Sequence, residues 1–308
     1  MAVDFRSGLD ALLAQIPRGR VARCGDIARA LGDVRASAAV FRYLKDHPDV
    51  PGGHRVVTKH GRAVSALALQ EIRSEGGFAR GADFQTVLQG SAPLTELRED
   101  QSRIAARVSR RNGFGALRTV GGVDVAYSAD RGFAALVVLR ARDLTVVEEV
   151  LASRDVDFPY IPTYLGYREY PLIEAAFRRL REPPTVLLVD GHGEMHPARC
   201  GIACMVGVNL GLPTIGVAKS PLVGVPDRRP KVGEAVGVRD KARLLGYALR
   251  TSASIRPLFV STGHRVAPRT AVGIVRRLCR TRLPEPLRIA DARAAEWKRR
   301  KEKGGRGF

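Results

Sequence analysis

Asp124 interrupts an apolar run, V-G-G-V-D-V-A-Y, with Val123 and Val125 on either side. A charged side chain in such a strand-like segment is expensive to bury unless it binds something. Asp190 closes a second run, T-V-L-L-V-D, and is followed by Gly191-His192-Gly193. The C-terminal end of a buried strand, beside glycines, is a common ligand position in α/β proteins. Glu169, in G-Y-R-E-Y-P, is a third carboxylate; the three lie 45 and 21 positions apart, so only a fold can unite them. Taken singly, each is more often a helix cap or a surface ion pair. If they converge, a set of hard oxygen donors selects Mg2+ or Mn2+. Such an ion lowers the pKa of an attacking water and stabilises charge on phosphate oxygens.

Other polar residues stand near these runs. His264, in F-V-S-T-G-H-R-V, follows an apolar segment and precedes a helical stripe, a position suited to a ligand or an acid–base group. His192 and His196 have i,i+4 spacing, but Gly193 and Pro197 argue against a helix there, and no third zinc ligand is obvious. Lys219 ends T-I-G-V-A-K, where it either neutralises a phosphate or is a solvated lysine at a strand end. The segment Phe158-Pro159-Tyr160-Ile161-Pro162 is aromatic and proline-stiffened. It is either a packed turn or a wedge that enters a base stack.

Charge narrows the partner. The 308 residues carry a net charge of +20, which in a soluble protein points to an anionic polymer, most often nucleic acid. A ribosome-associated or membrane-surface protein is the plainer alternative. Of 51 basic side chains, eight are lysines and 43 are arginines, whose forks suit bidentate phosphate contact. A GC-rich genome gives the same bias. No apolar run of about 18 residues is present, so no membrane span is expected. Asp4 and Asp10, with no long apolar stretch, argue against a secretory signal. The four cysteines, Cys24, Cys200, Cys204 and Cys279, form no C-x-x-C pair. Free thiols in a reducing cytoplasm are the simplest reading, with Cys200 and Cys204 as packed small side chains.

The elements that must position these residues fall into two parts. Phe5, Leu9, Leu12, Leu13 and Ile16 share one helical face, ended by Pro17 and Gly19. Ile27, Ala28 and Leu31, then Ala36, Ala39, Val40, Tyr43 and Leu44, mark two more short helices. Such a pair fits a helix-turn-helix, winged-helix-like unit, although many small helical bundles share the pattern. Residues 63–95 are mixed in character. Beyond them, 119–127, 132–139 and 144–152 have the composition of strands. Residues 170–180 are helical in pattern, 185–190 a buried strand, 199–210 helical, 214–218 and 258–261 strands, and 271–278 a helical stripe. Three strands followed by alternating helices and strands predict an α/β domain with a mixed sheet. The basic, Gly-rich end from Trp297 is expected to be disordered.

Taken in order, G-V-D-V-A-Y, P-Y-I-P, Y-R-E-Y-P, V-D-G-H-G-x-x-H-P, P-T-I-G-V-A-K, T-G-H-R-V and R-L-P-E-P-x-R-x-A-D, ending at Asp291, resemble endonuclease V. So many motifs in fixed order are far more specific than any one of them. The resemblance implies an RNase H-like mixed sheet flanked by helices and Mg2+-dependent (or Mn2+-dependent) hydrolysis of DNA. The substrate it implies is duplex or single-stranded DNA carrying deoxyinosine, cut at the second phosphodiester 3′ to the lesion to leave a 3′-hydroxyl. Asp124, Glu169 and Asp190 match that family's metal-binding acids, His264 its active-site histidine and Lys219 its active-site lysine. Tyr160 matches the wedge tyrosine, flanked by Pro159 and Ile161. Gly191, Gly193 and Gly216 match the backbone lining the base pocket, and His196 is placed with them. Rival readings are an inosine-specific ribonuclease and a non-catalytic lesion binder. Against the binder, a pure binder need not keep Asp124, Glu169, Asp190 and His264.

The front of the chain is similar to the DNA-binding domain of O6-alkylguanine-DNA alkyltransferases, through I-P-R-G-R-V-A-R-C-G-D-I-A-R-A-L-G, L-K-D-H-P and G-G-H-R-V-V. Its departures are chemical. Gly53 stands where that family has its acceptor cysteine, Cys24 where it has a nucleotide-flipping tyrosine, and Ala38 where it has an arginine. Without the thiolate there is no nucleophile for alkyl transfer. The organisation expected is therefore a DNA-holding domain over 1–85, a nuclease domain over 86–296 and a tail over 297–308, in a cytoplasmic, nucleoid-associated protein.

Overall fold

The structure, a computed structural model, describes residues 4–76, 84, 87–129, 131–252 and 256–304. Most of the boundary region expected near residue 85, and the tail end 305–308, lie outside the described residues. The chain forms two compact units: Met1–Asp100 with Asp157–Tyr164, and Gln101–Val156 with Leu165–Phe308.

In the first unit, α1 (Phe5–Leu13) buries Phe5, Leu9, Leu12 and Leu13, the face its spacing predicts. Asp4 caps it by accepting from the Ser7 N–H at 2.9 Å. After β1 (Ala22–Arg23) come α2 (Cys24–Ala30) and α3 (Ser37–Asp46), the helix pair read from the apolar spacing. β2 (Val56–Val57) pairs with β1 in parallel, and α4 (Ala66–Ser74) begins at Ser65, whose side chain accepts from the Ala68 N–H. α5 (Pro93–Arg107) follows. The mixed stretch 63–95 thus holds α4 and the start of α5, helices whose apolar stripe is too thin to stand out.

The second unit opens with an antiparallel meander, β3 (Thr119–Ser128), β4 (Arg131–Arg140) and β5 (Val146–Asp155). Then come α6 (Leu165–Phe177), β6 (Val186–Asp190), α7 (Ile202–Leu210) and β7 (Thr214–Ala218). Next are β8 (Val225–Pro226), β9 (Ala235–Asp240), β10 (Arg243–Leu249), β11 (Leu258–His264), α8 (Pro268–Leu278) and α9 (Glu285–Gly304). Among the described residues these strands form one mixed sheet in the order β5-β4-β3-β6-β7-β11-β10-β9-β8. β3, β6 and β7 run parallel to one another; the remaining pairs are antiparallel.

Period-two alternation sorts the strands' side chains into two cores. Leu187 and Val189 face α6 and α7, packing with Leu172, Ile173, Ile202 and Val206. Val120, Val186, Leu188, Ile215 and Val217 face the other way, onto Val275 and Leu278 of α8 and Leu287 of α9. This is the helix-flanked mixed sheet that the resemblance implied.

Two expectations differ from the structure. α6 starts at Leu165, not Tyr170, and runs through Pro171. An interior proline costs about 3 kcal/mol. Burying side chains such as Leu172 and Ile173, at about 1.5–3 kcal/mol each, offsets that cost. The basic end, expected to be disordered from Trp297, instead extends α9 to Gly304. Trp297 packs edge-on against Phe133 at 5.3 Å, and Arg300 pairs with Glu296 one turn back. A composition rule misses both contacts.

Candidate active site

The parallel register of β3 and β6 pairs Val123 with Val189, so Asp124 and Asp190 emerge side by side at the strand ends. Both have the parity of the face that packs on α8 and α9. Lys219, two residues beyond Val217, shares it and sets its Nζ 3.1 Å from Asp190 Oδ2. Glu169 approaches from α6, in range of both aspartates.

Burial and neighbouring acids raise the pKa of Asp124 and of Glu169. Burial, then Asp190 and Asp291, push the Asp124 carboxyl up to about 7. Burial, then Asp124 and Asp190, push Glu169 up to about 8. Burial alone lowers the Lys219 pKa, but the Asp190 charge and hydrogen bond outweigh it and hold it raised. The buried Tyr127 hydroxyl faces Glu169 without a closed hydrogen bond, under the Arg168 guanidinium, which stacks 4.3 Å over its ring.

Crowded carboxylates of this kind suit a divalent cation, whose charge removes the repulsion and whose preference is for oxygen. Among the described residues, no three His, Cys, Asp or Glu side chains already stand together as a metal-holding set. Asp190 is turned to Lys219.

The glycines after Asp190 let backbone pack on backbone. A Cβ on Gly193 would lie 2.0 Å from the Thr262 carbonyl oxygen, and one on Gly216 would lie 2.3 Å from the Gly193 nitrogen. Gly191 has φ +151, a left-handed conformation that side chains avoid. Its N–H donates to Val217 O, while that of Gly193 donates to the buried Ser261 hydroxyl at 2.9 Å. The carbonyls of His192 and Gly193 accept from Ala203 and Gly201. The loop's backbone therefore first fastens Asp190 to β7 and β11.

Other sequence candidates sit differently. A bulge between Thr262 and His264 turns His264 toward α7, level with Thr214 at the start of β7. Asp190 is level with Val217, three residues further along, or about 10 Å. His264 Nδ1 accepts from the Ser109 N–H, and burial with Arg265 and Arg107 lowers its pKa. The structure does not bring it to the carboxylates. His196, expected at the base, is buried in the loop, with Nδ1 accepting from the Ala198 N–H. Ile161, expected in the wedge, is fully buried and seats the segment. Tyr160 is 51% exposed, and Pro159 is half-buried.

Three residues carry roles the sequence left unassigned. Asp291 closes the last motif, but its proximity to Asp124 and Lys219 emerges only once α9 lies across β3. Gly122 permits that approach: a Cβ there would meet the Pro286 carbonyl at 2.3 Å. Glu194, 2% exposed, lies between Arg110 and Arg243 at 3.0 and 2.7 Å and so pins the loop after Asp190. A carboxylate in D-G-H-G-E was the available signal.

Residues 102–292 match the family described as Endonuclease V. The Roseiflexus castenholzii endonuclease V is 47% identical over 205 residues, covering 66% of this chain and 92% of that protein. The crystal structure of endonuclease V from Streptomyces avermitilis is 38% identical with a TM-score of 0.63, covering 68% of this chain and 94% of that one. A Ciona intestinalis endonuclease V, solved in complex with a 24mer DNA containing an inosine followed by a ribo-adenosine, is 30% identical. Its TM-score is 0.60, and the match covers 68% of this chain and 98% of that one.

Residues 4–76 match the DNA-binding domain of 6-O-methylguanine DNA methyltransferase. Gly53 stands there beside His54, whose ring nitrogens lie 3.3 and 3.2 Å from Glu71 and Glu75. The only thiol in that span, Cys24, is buried, and burial pushes its pKa up to about 11. Incubation with O6-methylguanine DNA is therefore expected to leave the protein unalkylated by mass spectrometry. A methyl group on Cys24 would overturn this.

Proposed function

Because this chain belongs to the endonuclease V family, and is thus a metal-dependent nuclease, we propose that it cuts DNA 3′ to a deaminated base. Deoxyinosine is the lesion we favour, with a 3′-hydroxyl left behind and Mg2+ or Mn2+ as the ion. The observation that carries this reading is the register Val123–Val189, which sets Asp124 beside Asp190 on the face that holds Lys219.

Asp124 and Asp190, with Glu169, are the residues to hold the ion, and Asp291 adds negative charge beside them. The ion, when bound, supplies an activated water and neutralises charge on the scissile phosphate. Lys219 Nζ, beside Asp190, would offer its charge to a phosphate oxygen. Tyr160, exposed between Pro159 and Pro162, stacks where the lesion leaves the duplex. The backbone around Gly191, Gly193 and Gly216 borders the extruded base. Hypoxanthine differs from adenine by an oxygen and a ring N–H, so hydrogen-bonding groups there separate the two better than apolar contact does. His264, whose Nδ1 accepts from the Ser109 N–H, braces β11 in this reading.

No helix among the described residues is long and apolar enough to cross a membrane. With a net charge of +20, we place the protein on DNA in the cytoplasm.

The deciding experiment uses duplexes and single strands that carry inosine or adenine at one position, as DNA and as RNA, in Mg2+, Mn2+ or EDTA. Cleavage of inosine DNA in either metal, with none in EDTA, is expected. Equal cleavage in EDTA would reject the metal, and cleavage of the RNA alone would establish the ribonuclease reading.

A further inference from the structure

Asp157–Tyr164, the segment bearing Tyr160, packs as part of the first unit although its sequence lies inside the nuclease match. Phe158 meets Phe5 edge-on, with ring centroids 6.0 Å apart. Ile161 and Tyr164 are fully buried. The Tyr164 hydroxyl donates to Asp33 Oδ2 at 2.7 Å. The other oxygen of Asp33 accepts from the Arg35 N–H at 3.0 Å and pairs with Arg35 Nε at 3.2 Å. Arg35 then reaches on, its Nη1 donating to Thr163 Oγ1 at 2.9 Å. Thr163 has φ +73, a left-handed backbone that a β-branched residue keeps only where its surroundings impose it.

We propose that Asp33 and Arg35 are positioning residues that clamp the segment carrying Tyr160, so that the front domain sets how sharply the enzyme separates inosine from adenine. The clamp grips Thr163 and Tyr164 at one end, and Phe5 holds Phe158 at the other. Tyr160 is left exposed between two prolines. A side chain that must enter a base stack gains from such a mount, because a loose segment spends ordering entropy each time it inserts. The Roseiflexus castenholzii and Ciona intestinalis endonucleases V are matched over 92% and 98% of their own lengths, which leaves no room in those two for a unit of this size. The clamp thus gives a front domain without an acceptor cysteine a use that needs no alkyl chemistry.

The inference rests on the wedge reading of Tyr160, and its test separates the two. The full chain is compared with Tyr164→Phe, Arg35→Lys, Tyr160→Ala and the double variants. Arg35→Lys keeps the charge and alters an exposed fork, so it tests the clamp without emptying the core. Readouts are the single-turnover cleavage ratio for inosine over adenine, the fluorescence of a 2-aminopurine placed beside the inosine, and affinity for undamaged duplex. Losing one clamp hydrogen bond is expected to lower the ratio by about tenfold. The 2-aminopurine signal should fall with it, while undamaged-duplex affinity stays within about twofold, since no phosphate contact is lost. On a Tyr160→Ala background the same substitutions should change nothing further. Tyr160→Ala lowering the ratio while Tyr164→Phe and Arg35→Lys leave it intact would overturn the clamp alone. Additive losses would do the same. An unchanged ratio in Tyr160→Ala would remove the wedge and the clamp together.

Discussion

Asp124→Asn and Asp190→Asn are each expected to slow cleavage of inosine DNA by about a thousandfold, the scale of several kcal/mol of lost charge stabilisation. Binding of the inosine duplex should survive, because Tyr160 and the basic surface are untouched. Stability separates this outcome from simple damage. Asp124 ionises only at about 7 because burial, Asp190 and Asp291 oppose its charge. A carboxyl raised in the folded protein from its ordinary 3.8 subtracts stability progressively between those two pH values, and fully above the higher one. Without metal, Asp124→Asn should therefore melt no lower than the parent at pH 8, and any gain should fade toward pH 4. Normal cleavage by Asp190→Asn would remove the carboxylates from the reaction. A melting temperature well below the parent would assign the loss to folding instead.

How much of this was legible in the sequence differs from residue to residue. Asp124 and Asp190 stood out because a charge in an apolar run contradicts its surroundings, and the strand register then united them. Glu169 lacked that contrast, since G-Y-R-E-Y-P is polar and Pro171 masked the helix that carries it. Lys219 was visible only as the end of a strand. His264 was legible only as the end of a strand, and the bulge that sets it level with Thr214 has no mark in composition. The aromatic, proline-stiffened segment around Ile161 likewise does not reveal which of its side chains will be covered. β8, β9 and β10 went unassigned because 220–250 mixes turn residues and charges at short intervals, and the alternation in β9 and β10 spans only a few positions. In β6 and β7 only the continuous apolar run was legible, and its alternate side chains sort into the two cores once the sheet is covered on both faces.

The glycines lead to the last expected result, which concerns the support under Asp190 and not its chemistry. An alanine at Gly216 would place its Cβ 2.3 Å from the Gly193 nitrogen and 2.7 Å from both the Gly191 oxygen and the His192 carbonyl carbon. All three are backbone atoms, so no side chain can swing aside. The loop must lift from β7. Lifting strains the bonds from the Gly191 N–H to Val217 O, from the Gly193 N–H to Ser261 and from the Glu194 N–H to Thr262 O. It also disturbs Glu194 between Arg110 and Arg243. Overpacking costs about 1–3 kcal/mol, and each buried polar group left unpaired adds about as much. A total of about 3 kcal/mol or more lowers the melting temperature by roughly 6–12 °C in a unit of this size. Because Asp190 is the residue that enters the loop, cleavage should fall by at least about a hundredfold even at temperatures where the protein remains folded. Gly273→Ala is the matched control. It lies inside α8, where an added Cβ meets nothing within 4 Å, so alanine there should leave cleavage unchanged and add about 0.5–1 kcal/mol. Parental melting and cleavage in Gly216→Ala would mean that the loop does not rest on β7 as described. A loss shared equally by Gly273→Ala would mean that the effect has nothing to do with the loop.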